Sequence, residues 1–353
     1  MTKNFFTNKN ILITGNTGFK GSWLTKVLLN YNANIIGYSN TEKVSDPCLF
    51  KILKLKKSIT FIKGDIRDKN KLEKIFKKYK PSIIFHLAAQ PIVSTSYKLP
   101  YETFAVNMIG SLNILELCKN YNFVKSLVYV TSDKCYENIE TKISYKETDK
   151  LGGKDPYSAS KAAAEVIFNA YLKSFYQKKF GSASVRAGNV IGGGDWSKNR
   201  LIPDFIRSLQ LKKKLVIRNP ESIRPWHHVL DSISGYIRLS KKLYNYKNRF
   251  SGNWNFGPLS NKNFSTSQVV NIMNNTLINK VKISINKKKI KNFESKILKL
   301  NSKKSNQQLN WHPKLSTRES IKFTIDWYKH YFEKKNIEKF TEMQINRIIG
   351  KKL

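Results

Sequence analysis

The sequence is poor in cysteine and has no long hydrophobic run. No apolar stretch approaches the roughly 18 residues that are needed to cross a bilayer. The first apolar stretch, NILITG, leads directly into a glycine turn, which is not the layout of a signal peptide. Cys48, Cys118 and Cys135 show no metal-ligand spacing and suit a reducing compartment. These features predict a cytoplasmic protein without a membrane span, a disulfide framework or a bound metal.

Acidic residues are also scarce, since 24 Asp and Glu stand against 64 Lys and Arg and give a formal net charge of +40. Such a charge is typical of nucleic-acid-binding proteins. Only 10 of the basic residues are arginine, however, and the lysines are dispersed among abundant Asn and Ile, as A/T-rich coding would produce. No stripe alternates arginine with stacking aromatic residues. We therefore expect weak adhesion to polyanions but no specific nucleic-acid partner.

Apolar runs alternate with helical patterns through the first half of the chain. The apolar runs predict strands over 10–15, 33–38, 58–65, 81–89 and 126–132. Helical periodicity predicts helices between them, over 19–31, 70–79 and 102–121. This alternation is typical of an α/β fold with a doubly wound parallel (Rossmann-type) sheet, whose strands are apolar throughout because both faces are covered.

The rhythm loosens after about residue 187, where glycine, tryptophan and proline cluster. We predict a Rossmann domain over 1–186 and a smaller C-terminal α/β substrate-binding lobe over 187–330, with elements that interleave. Residues 331–353 are predicted to form a basic tail with only weak helical character.

The segment TGNTGFKG places three glycines between the first predicted strand and the first predicted helix. Gly15 would permit the tight turn, Gly18 would let a pyrophosphate approach the backbone, and Gly21 would let the helix pack on the strand. The same glycines could serve a purely structural turn, but the strand–turn–helix context favours dinucleotide binding. Ser39 stands at the end of the second strand, where a ribose-binding acid is usual, so this position does not choose between NAD and NADP.

The segment TSDKCY presents a hydroxyl, a carboxylate and an ammonium in succession where the 126–132 strand ends: Ser132, Asp133 and Lys134. Charged residues at a strand end are usually only solvated. Further on, Tyr157 and Lys161 lie one helical turn apart on one face. A neighbouring ammonium would favour the tyrosine phenolate, which would make a general base usable near neutral pH. This spacing alone is common, but the glycine loop and the strand-end serine that precede it indicate catalysis.

These segments together resemble the extended short-chain dehydrogenase/reductase family, whose members act on nucleotide sugars. The resemblance is carried by T-G-x-x-G-x-x-G, by HLAAQ, by the strand-end serine and by Y-x-x-x-K, and it covers nearly the whole chain. Sugar dehydratases of the family commonly carry Asp-Glu after the strand-end hydroxyl, whereas the branch that acts on CDP-glucose carries Asp-Lys, as here. Epimerases of the family lack this acid–base pair.

The resemblance implies a 4,6-dehydration of CDP-glucose that uses NAD. The C4 hydroxyl is oxidised, water is lost across C5 and C6, and the hydride returns to C6, for bacterial deoxysugar and surface polysaccharide synthesis. The implied catalytic residues are Ser132, Asp133, Lys134, Tyr157 and Lys161. The implied cofactor contacts are Gly15, Thr17, Gly18, Phe19, Gly21, Asp65, Ile66, Leu87, Ala88, Ala89, Asn107, Tyr157 and Lys161. The implied substrate contacts are Gln90, Ser132, Asn189, Leu201, Arg218 and Arg224.

Several of these roles have alternatives. Lys134 could take the C5 proton, or it could stay charged and stabilise an enolate. Asp65 could equally form a strand-end turn, and Asn107 could be a buried, satisfied amide. Arg218 and Arg224 suit a diphosphate, because arginine donors pair bidentately with phosphate oxygens, but either could form an ordinary ion pair.

Three positions depart from the pattern of the CDP-glucose branch: Asn16, Ser94 and His227. The whole protein could instead be a dehydratase or 4-epimerase for a dTDP-, UDP- or GDP-sugar, or a noncatalytic NAD(P)-binding regulator.

We expect Trp196 and Trp226 to pack the second lobe. The resemblance also implies a homodimer or homotetramer that pairs through a four-helix bundle built from 102–121 and 157–178.

Overall fold

A seven-stranded parallel sheet forms the centre of the protein, in the strand order β11-β6-β5-β4-β1-β2-β3. The structure is a computed structural model that describes residues 4–140, 142–177, 179–259, 264–285 and 295–350. Helices cover both faces of the sheet, so the predicted doubly wound fold is confirmed. The end of the predicted tail, 351–353, and residue 178 of the predicted bundle helix lie outside the described residues.

The strands have the following bounds: β1 Asn10–Thr14, β2 Asn34–Ser39, β3 Thr60–Lys63, β4 Ile83–His86, β5 Ser126–Val130, β6 Gly181–Ala187, β7 Val190–Ile191, β8 Leu215–Ile217, β9 Ile223–Arg224, β10 His227–His228, β11 Gly252–Phe256, β12 Phe264–Ser265 and β13 Ile283–Ile285. The helices are α1 Phe19–Leu29, α2 Leu49–Ile52, α3 Lys69–Tyr79, α4 Val93–Lys98, α5 Pro100–Phe104, α6 Ser111–Asn120, α7 Pro156–Tyr171, α8 Leu201–Gln210, α9 Val229–Tyr246, α10 Thr266–Asn275, α11 Lys303–Leu309, α12 Thr317–Phe332 and α13 Ile337–Ile348. Short 3₁₀ turns span Leu55–Ser58, Asp133–Cys135 and Lys247–Phe250, and π-helical turns span Ala105–Gly110 and Leu172–Tyr176.

The central strands pack side chains into two separate hydrophobic cores, one on each face of the sheet. In β1, Ile11 and Ile13 pack into one hydrophobic cluster, while Leu12 packs into another on the opposite face. The same alternation in β5 sends Val128 to the first cluster and Leu127 to the second. Because successive side chains of a strand point to opposite faces, two apolar cores require an unbroken apolar strand.

The sequence analysis did not predict two strands of the sheet, and it underestimated the helix of the C-terminal tail. The strands β6 and β11 carry Ser, Arg and Asn at buried positions, so neither has an apolar pattern. The tail was wrongly predicted as weakly helical, because Ile337–Ile348 forms the regular helix α13. This helix is anchored to α1 by Lys26, whose Nζ lies 2.6 Å from a Glu342 carboxylate oxygen and 3.3 Å from one of Glu338.

The topology places a large cavity at the carboxyl edge of the sheet. The strand order reverses between β1 and β4, and ligands of open α/β sheets bind at such a switch point. A cavity of about 1120 Å³ opens there. Among the described residues, no helix is both long and apolar enough to span a bilayer, and no three His, Cys, Asp or Glu side chains are grouped to hold a metal.

Candidate active site

The glycine loop forms a backbone cradle at one end of the cavity. Gly15 has φ +71°, and a Cβ on it would lie 2.7 Å from the Ala88 amide nitrogen. A Cβ on Gly21 would collide with the Gly15 carbonyl. The helix α1 begins at Phe19 after Gly18, which supplies no side-chain cap to the first-turn N–H groups. Open N–H groups at the positive end of a helix fit a pyrophosphate, so the cradle fits a dinucleotide.

Polar side chains tie this loop to the end of β2. The Ser39 hydroxyl donates to Asn16 Oδ1 at 2.8 Å and accepts from the Thr17 amide at 3.4 Å. Asn16 is fully buried, which places this departure from the branch pattern beneath the cradle. Ser39 therefore holds the loop in place at a position where an acid is usual.

Asp65 lies at the rim of the cavity in an ion pair. Its Oδ1 accepts from the Arg67 backbone amide at 2.8 Å and from Arg67 Nε at 2.9 Å, and its Oδ2 accepts from Arg67 Nη2 at 2.7 Å. These bonds with the Arg67 guanidinium hold the pKa of Asp65 below its usual value. The arrangement favours the strand-end turn, although Asp65 also borders the cavity.

Ser132, Asp133 and Lys134 line the cavity from the tight turn that follows β5. The Ser132 hydroxyl accepts from the Lys134 amide at 3.2 Å and donates to Asp133 Oδ1 at 3.1 Å. Asp133 is only 3% exposed, and burial raises the pKa of its carboxyl. A carboxyl that is protonated more readily than usual suits a general acid.

Tyr157 and Lys161 reach the same cavity from the first turns of α7. This helix is capped by Asp155, whose Oδ1 accepts from the Ser158 amide at 3.0 Å, and it begins at Pro156. Burial raises the pKa of Tyr157 to about 12, while a hydrogen bond with Ser132 acts in the opposite direction. Burial lowers the pKa of Lys161 to about 8. A pKa of about 12 keeps the phenol protonated at neutral pH.

The structure brings most of the implied residues to this one cavity. Those that line it are Gly15, Thr17, Gly18, Phe19, Gly21, Asp65, Ile66, Leu87, Ala88, Ala89, Ser132, Asp133, Lys134, Tyr157, Lys161, Asn189, Leu201, Arg218 and Arg224.

Gln90 and Asn107 are not among the described residues that line the cavity, because each is bound to protein groups. Asn107 Oδ1 accepts from the Gln90 amide at 2.8 Å, and Asn107 Nδ2 donates to Ser160 Oγ at 2.9 Å. Gln90 Nε2 donates to Thr103 Oγ1 at 2.9 Å, and Gln90 Oε1 accepts from the Ile92 amide at 2.6 Å. Both side chains therefore brace the loop after β4, and their predicted contacts with substrate and cofactor stay predictions.

The two predicted diphosphate arginines differ in their surroundings. Arg224 is 4% exposed and donates to the backbone carbonyls of Ile223, at 2.8 Å, and Lys296, at 3.3 Å. Arg218 lies nearer the surface and donates to the Asn199 carbonyl at 3.2 Å. Arg224 thus supports the cavity wall through carbonyls, while Arg218 lies at its open end.

Ser94 and His227, which also depart from the branch pattern, and the two tryptophans all contact neighbouring protein groups. Ser94 lines the cavity and accepts from Asn199 Nδ2 at 3.1 Å, so it joins two sides of the entrance. His227 is buried, its Nε2 lies 2.6 Å from Ser232 Oγ, and burial lowers its pKa to about 3. Trp196 and Trp226 are buried, as expected for packing residues, although both also border the cavity.

Among the described residues that border the cavity, sequence reasoning missed four cations: Lys20, Lys198, Arg200 and Arg207. Arg200 precedes α8, is held by Asp195 at 3.0 Å, and has a charge that lowers the pKa of Tyr157, in opposition to burial. It lies far from Tyr157 in the chain, so no local spacing reveals it. Lys20 lies inside the glycine motif itself, where a cation at a helix N-terminus is a signal that could have been noticed.

Known proteins are similar to this chain in sequence and in fold. The chain matches the family described as GDP-mannose 4,6 dehydratase over residues 12–324. It is 43% identical over 333 residues to the CDP-glucose 4,6-dehydratase of Salmonella typhimurium, across 93% of this chain and 92% of that protein. The resemblance drawn from the sequence is confirmed.

Solved structures of related proteins superpose on most of the chain. The dTDP-glucose 4,6-dehydratase of Bacillus anthracis, in complex with NAD, has a TM-score of 0.75 and 25% identity, across 92% of this chain and 98% of that one. An epimerase from Methanothermobacter thermautotrophicus has a TM-score of 0.81 at 24% identity, across 95% of each chain. The second likeness concerns the fold alone.

Proposed function

Because the chain belongs to the GDP-mannose 4,6 dehydratase family, we propose that it is an NAD-dependent hydro-lyase that converts CDP-D-glucose to CDP-4-dehydro-6-deoxy-D-glucose and water. The observation that carries the proposal is the pair Asp133–Lys134, which borders the same cavity as Tyr157 and Lys161. A dehydration needs an acid and a base in addition to the groups that oxidise C4, and this cavity supplies both. A cytoplasmic location, expected from the sequence, stays a prediction.

NAD would be held by the glycine cradle and by the loops after β3 and β4. The N-terminal turn of α1 faces the pyrophosphate position, and Ile66, Leu87 and Ala88 supply apolar wall. When bound, the nicotinamide supplies the redox chemistry that the protein lacks, by accepting a hydride from C4 and returning it to C6. Tyr157 and Lys161 complete the site on the side of the reacting sugar.

Proton removal from the C4 hydroxyl falls to Tyr157. Its phenolate accepts the proton as C4 becomes a carbonyl, while Ser132 donates a hydrogen bond to the same oxygen. The high pKa of the ligand-free phenol keeps Tyr157 protonated until positive charge nearby stabilises the phenolate. Arg200 already lowers this pKa in opposition to burial, and the positive charge of a bound, oxidised nicotinamide would lower it further.

Loss of water then uses Asp133 and Lys134. Once C4 is a carbonyl, the C5 proton is acidic, and Lys134 accepts it while Asp133 gives a proton to the departing C6 hydroxyl. The C5–H and C6–O bonds break, a C5–C6 double bond forms, and water leaves. Lys134 then returns a proton to C5 as a hydride adds at C6, so the hydride removed from C4 and the proton removed from C5 are both accounted for.

The charge of the cavity suits two diphosphate-bearing ligands. Eight basic side chains of the described residues border it: Lys20, Lys134, Lys161, Lys198, Arg200, Arg207, Arg218 and Arg224. Several of the acids at the same wall are neutralised, since Asp195 pairs with Arg200 and Asp204 pairs with Arg207. The remaining positive charge would attract a nucleotide diphosphate, with Asn189, Leu201, Arg218 and Arg224 as the proposed substrate contacts.

Product analysis by NMR tests the function directly. Purified protein and NAD⁺ are incubated separately with CDP-, dTDP-, UDP- and GDP-glucose. A 4-dehydro-6-deoxy sugar from CDP-glucose alone is the expected result. The same product from another nucleotide sugar would support the dehydration but show that the nucleotide is not CDP. A C4 epimer as the product would show that the protein is an epimerase. NAD binding without any product would support the regulator.

A substitution in the cradle should separate cofactor binding from general stability. Gly15→Ala should weaken NAD⁺ binding at least tenfold, because the new methyl would collide with the Ala88 backbone at a left-handed position. Calorimetric titration with NAD⁺ measures this change.

Gly252→Ala is the matched control for Gly15→Ala. Gly252 also has positive φ, at +122°, but the first heavy atom that its Cβ would meet lies 3.9 Å away. This variant should lose thermal stability yet bind NAD⁺ normally. Equal weakening in both variants would show that the cradle geometry is not what holds the cofactor.

We propose that the protein pairs with a second copy through the faces of α5, α7 and the adjoining π-helical turns. Large apolar side chains are exposed there: Leu99 at 54%, Tyr101 at 85%, Ile109 at 51%, Val166 at 58% and Phe175 at 47%. The helices α5 and α7 pack together, so these residues belong to neighbouring elements. An exposed apolar face of this kind marks an interface, and two such helix pairs would form a four-helix bundle.

Val166→Glu should therefore convert the oligomer to smaller species in sedimentation velocity measurements. The charge would be buried without a partner in the interface, which is strongly unfavourable. Ile278→Glu is the control, because Ile278 is 99% exposed and lies far from α5 and α7 in the chain. A wild-type protein that sediments as a monomer, or a Val166→Glu variant that sediments as the wild type does, would refute this interface.

A further inference from the structure

A buried ion pair lies beside the active site. Glu165 of α7 and Arg186 of β6 have side chains that are 0% and 1% exposed, and Arg186 Nη2 lies 2.7 Å from Glu165 Oε2. Neither is among the described residues that border the cavity. A buried ion pair adds little stability over well-packed apolar side chains, because removing two charges from water offsets most of their attraction. The placement of other groups is therefore the stronger reason for this pair.

The ion pair contacts both ends of residues 131–136, which we call the catalytic turn because it contains the three proposed catalytic residues after β5. At its start, Thr131 Oγ1 donates to Glu165 Oε1. At its end, Arg186 Nη1 donates to the Tyr136 hydroxyl at 2.9 Å, and the guanidinium carbon lies 4.9 Å from the centre of the Tyr136 ring. The pair thus holds the turn at its first and last residues.

The same contacts join the catalytic turn to the helix that carries Tyr157. Glu165 lies on α7 about two helical turns after Tyr157. Its carboxylate reaches the turn directly through Thr131 and indirectly through Arg186 and Tyr136. A movement of the turn relative to α7 would have to break one of these bonds, so the pair fixes their relative position.

Further hydrogen bonds orient the pair from outside the catalytic turn. Glu165 Oε2 also accepts from Ser184 Oγ at 2.8 Å and from Asn253 Nδ2 at 2.9 Å. Arg186 Nη1 also donates to the Glu147 carbonyl at 3.2 Å. Reacting groups need support that holds them to within about 0.5 Å, and side chains locked by several hydrogen bonds give such support.

We propose that Glu165 and Arg186 are positioning residues, which hold the catalytic turn against α7 so that Asp133 and Lys134 lie at the sugar that Tyr157 oxidises. The inference rests on the proposed function. The groups that oxidise C4 lie mainly on α7, whereas the acid and the base that remove water lie on the turn. A displacement of about 1 Å in a reacting group can lower a rate on the order of 100-fold. Dehydration should therefore depend on this pair more than C4 oxidation or NAD⁺ binding does.

Tyr136→Phe tests the proposal, because it removes the hydroxyl that Arg186 holds and keeps the ring. In a single turnover of CDP-glucose, we expect dehydration to slow by about 10- to 100-fold and C4 oxidation to slow less. Reduced nicotinamide should therefore accumulate above the wild-type level, as measured by rapid-mixing absorbance, with the product followed by NMR. A loss of folded protein would lower both steps equally and would leave their ratio unchanged.

Ser184→Ala is the matched control. It removes one hydrogen bond from the same Glu165 carboxylate at a buried position, but Ser184 lies outside the catalytic turn. This variant should keep the wild-type ratio of the two steps, whatever its thermal stability. Glu165→Gln keeps the size of the side chain and removes the charge, and it should slow dehydration as Tyr136→Phe does. Should Glu165→Gln fail to fold by circular dichroism, Tyr136→Phe and Ser184→Ala decide the question.

Amide hydrogen exchange gives a second readout that needs no turnover. Exchange within residues 131–136 should be faster by about tenfold or more in Tyr136→Phe and unchanged in Ser184→Ala. The proposal would be overturned by a wild-type ratio of the two steps in Tyr136→Phe, by an equal change in Ser184→Ala, or by unchanged exchange in Tyr136→Phe. A wild type that makes no product would refute the proposed function, while exchange still decides whether the pair holds the turn.

Discussion

Replacement of Tyr157 by Phe should lower kcat by about 10²- to 10⁴-fold, the range expected when a general base is removed. The variant loses only the hydroxyl, because the ring keeps its place at the start of α7 and the Tyr157 amide still donates to Ser96 Oγ at 3.1 Å. The loss should fall on the first half of the reaction, in which the C4 proton and hydride leave. Rapid-mixing absorbance of the nicotinamide in a single turnover measures that half directly, and NAD⁺ affinity should stay within a few-fold of the wild type.

Tyr129→Phe is the matched control for Tyr157→Phe. Tyr129 is buried in β5, its hydroxyl contacts the Ala164 carbonyl at 3.5 Å and the Ser111 side chain, and it does not line the cavity in the described part of the chain. Loss of this hydroxyl should leave kcat unchanged. If Tyr157→Phe kept a tenth or more of the wild-type rate, another group would have to be the base.

The strands that the sequence predicts are those with mainly apolar residues, β1 to β5. In β6, by contrast, Arg186 is buried and pairs with Glu165 of α7 at 2.7 Å. Glu165 also accepts from Ser184 Oγ at 2.8 Å and from Asn253 Nδ2 of β11 at 2.9 Å. A strand whose polar residues are satisfied by distant partners carries no apolar periodicity, so tertiary pairing decides its structure and local pattern does not.

The residues of the site likewise fall into those that the sequence reveals and those that it does not. Ser132, Asp133 and Lys134 are adjacent in sequence, and Tyr157 and Lys161 are one helical turn apart, so local spacing reveals both groups. Contacts that depend on long-range folding cannot be found this way. Gln90 looks available in the chain, yet Thr103 and Ile92 occupy its side chain. Arg200 and Tyr157 lie far apart in the sequence, and only the fold brings both to the same cavity.

Replacement of Lys134 by Met should abolish the exchange of the C5 proton, with a loss of about 10²- to 10⁴-fold if Lys134 is the base. The measurement is the entry of solvent deuterium at C5 during turnover of CDP-glucose in D₂O, followed by NMR. Oxidation at C4 should survive, because Ser132, Tyr157 and Lys161 are untouched, so reduced nicotinamide should accumulate in a single turnover. Lys150→Met is the control, since Lys150 is exposed and pairs with Glu137 at 2.9 Å outside the cavity.

Lys134→Arg then separates a base from a fixed charge. A lysine that takes a proton must be neutral when it acts, and a free lysine has a pKa of about 10.4. Burial in the cavity lowers the pKa values of Lys20 and Lys161 to about 8, so these amines lose their proton at a lower pH than a free lysine does. Arginine stays charged and cannot act as the base, but it could still stabilise an enolate. We therefore expect Lys134→Arg to be as impaired as Lys134→Met, and near-normal deuterium entry in Lys134→Arg would assign the C5 proton to another group.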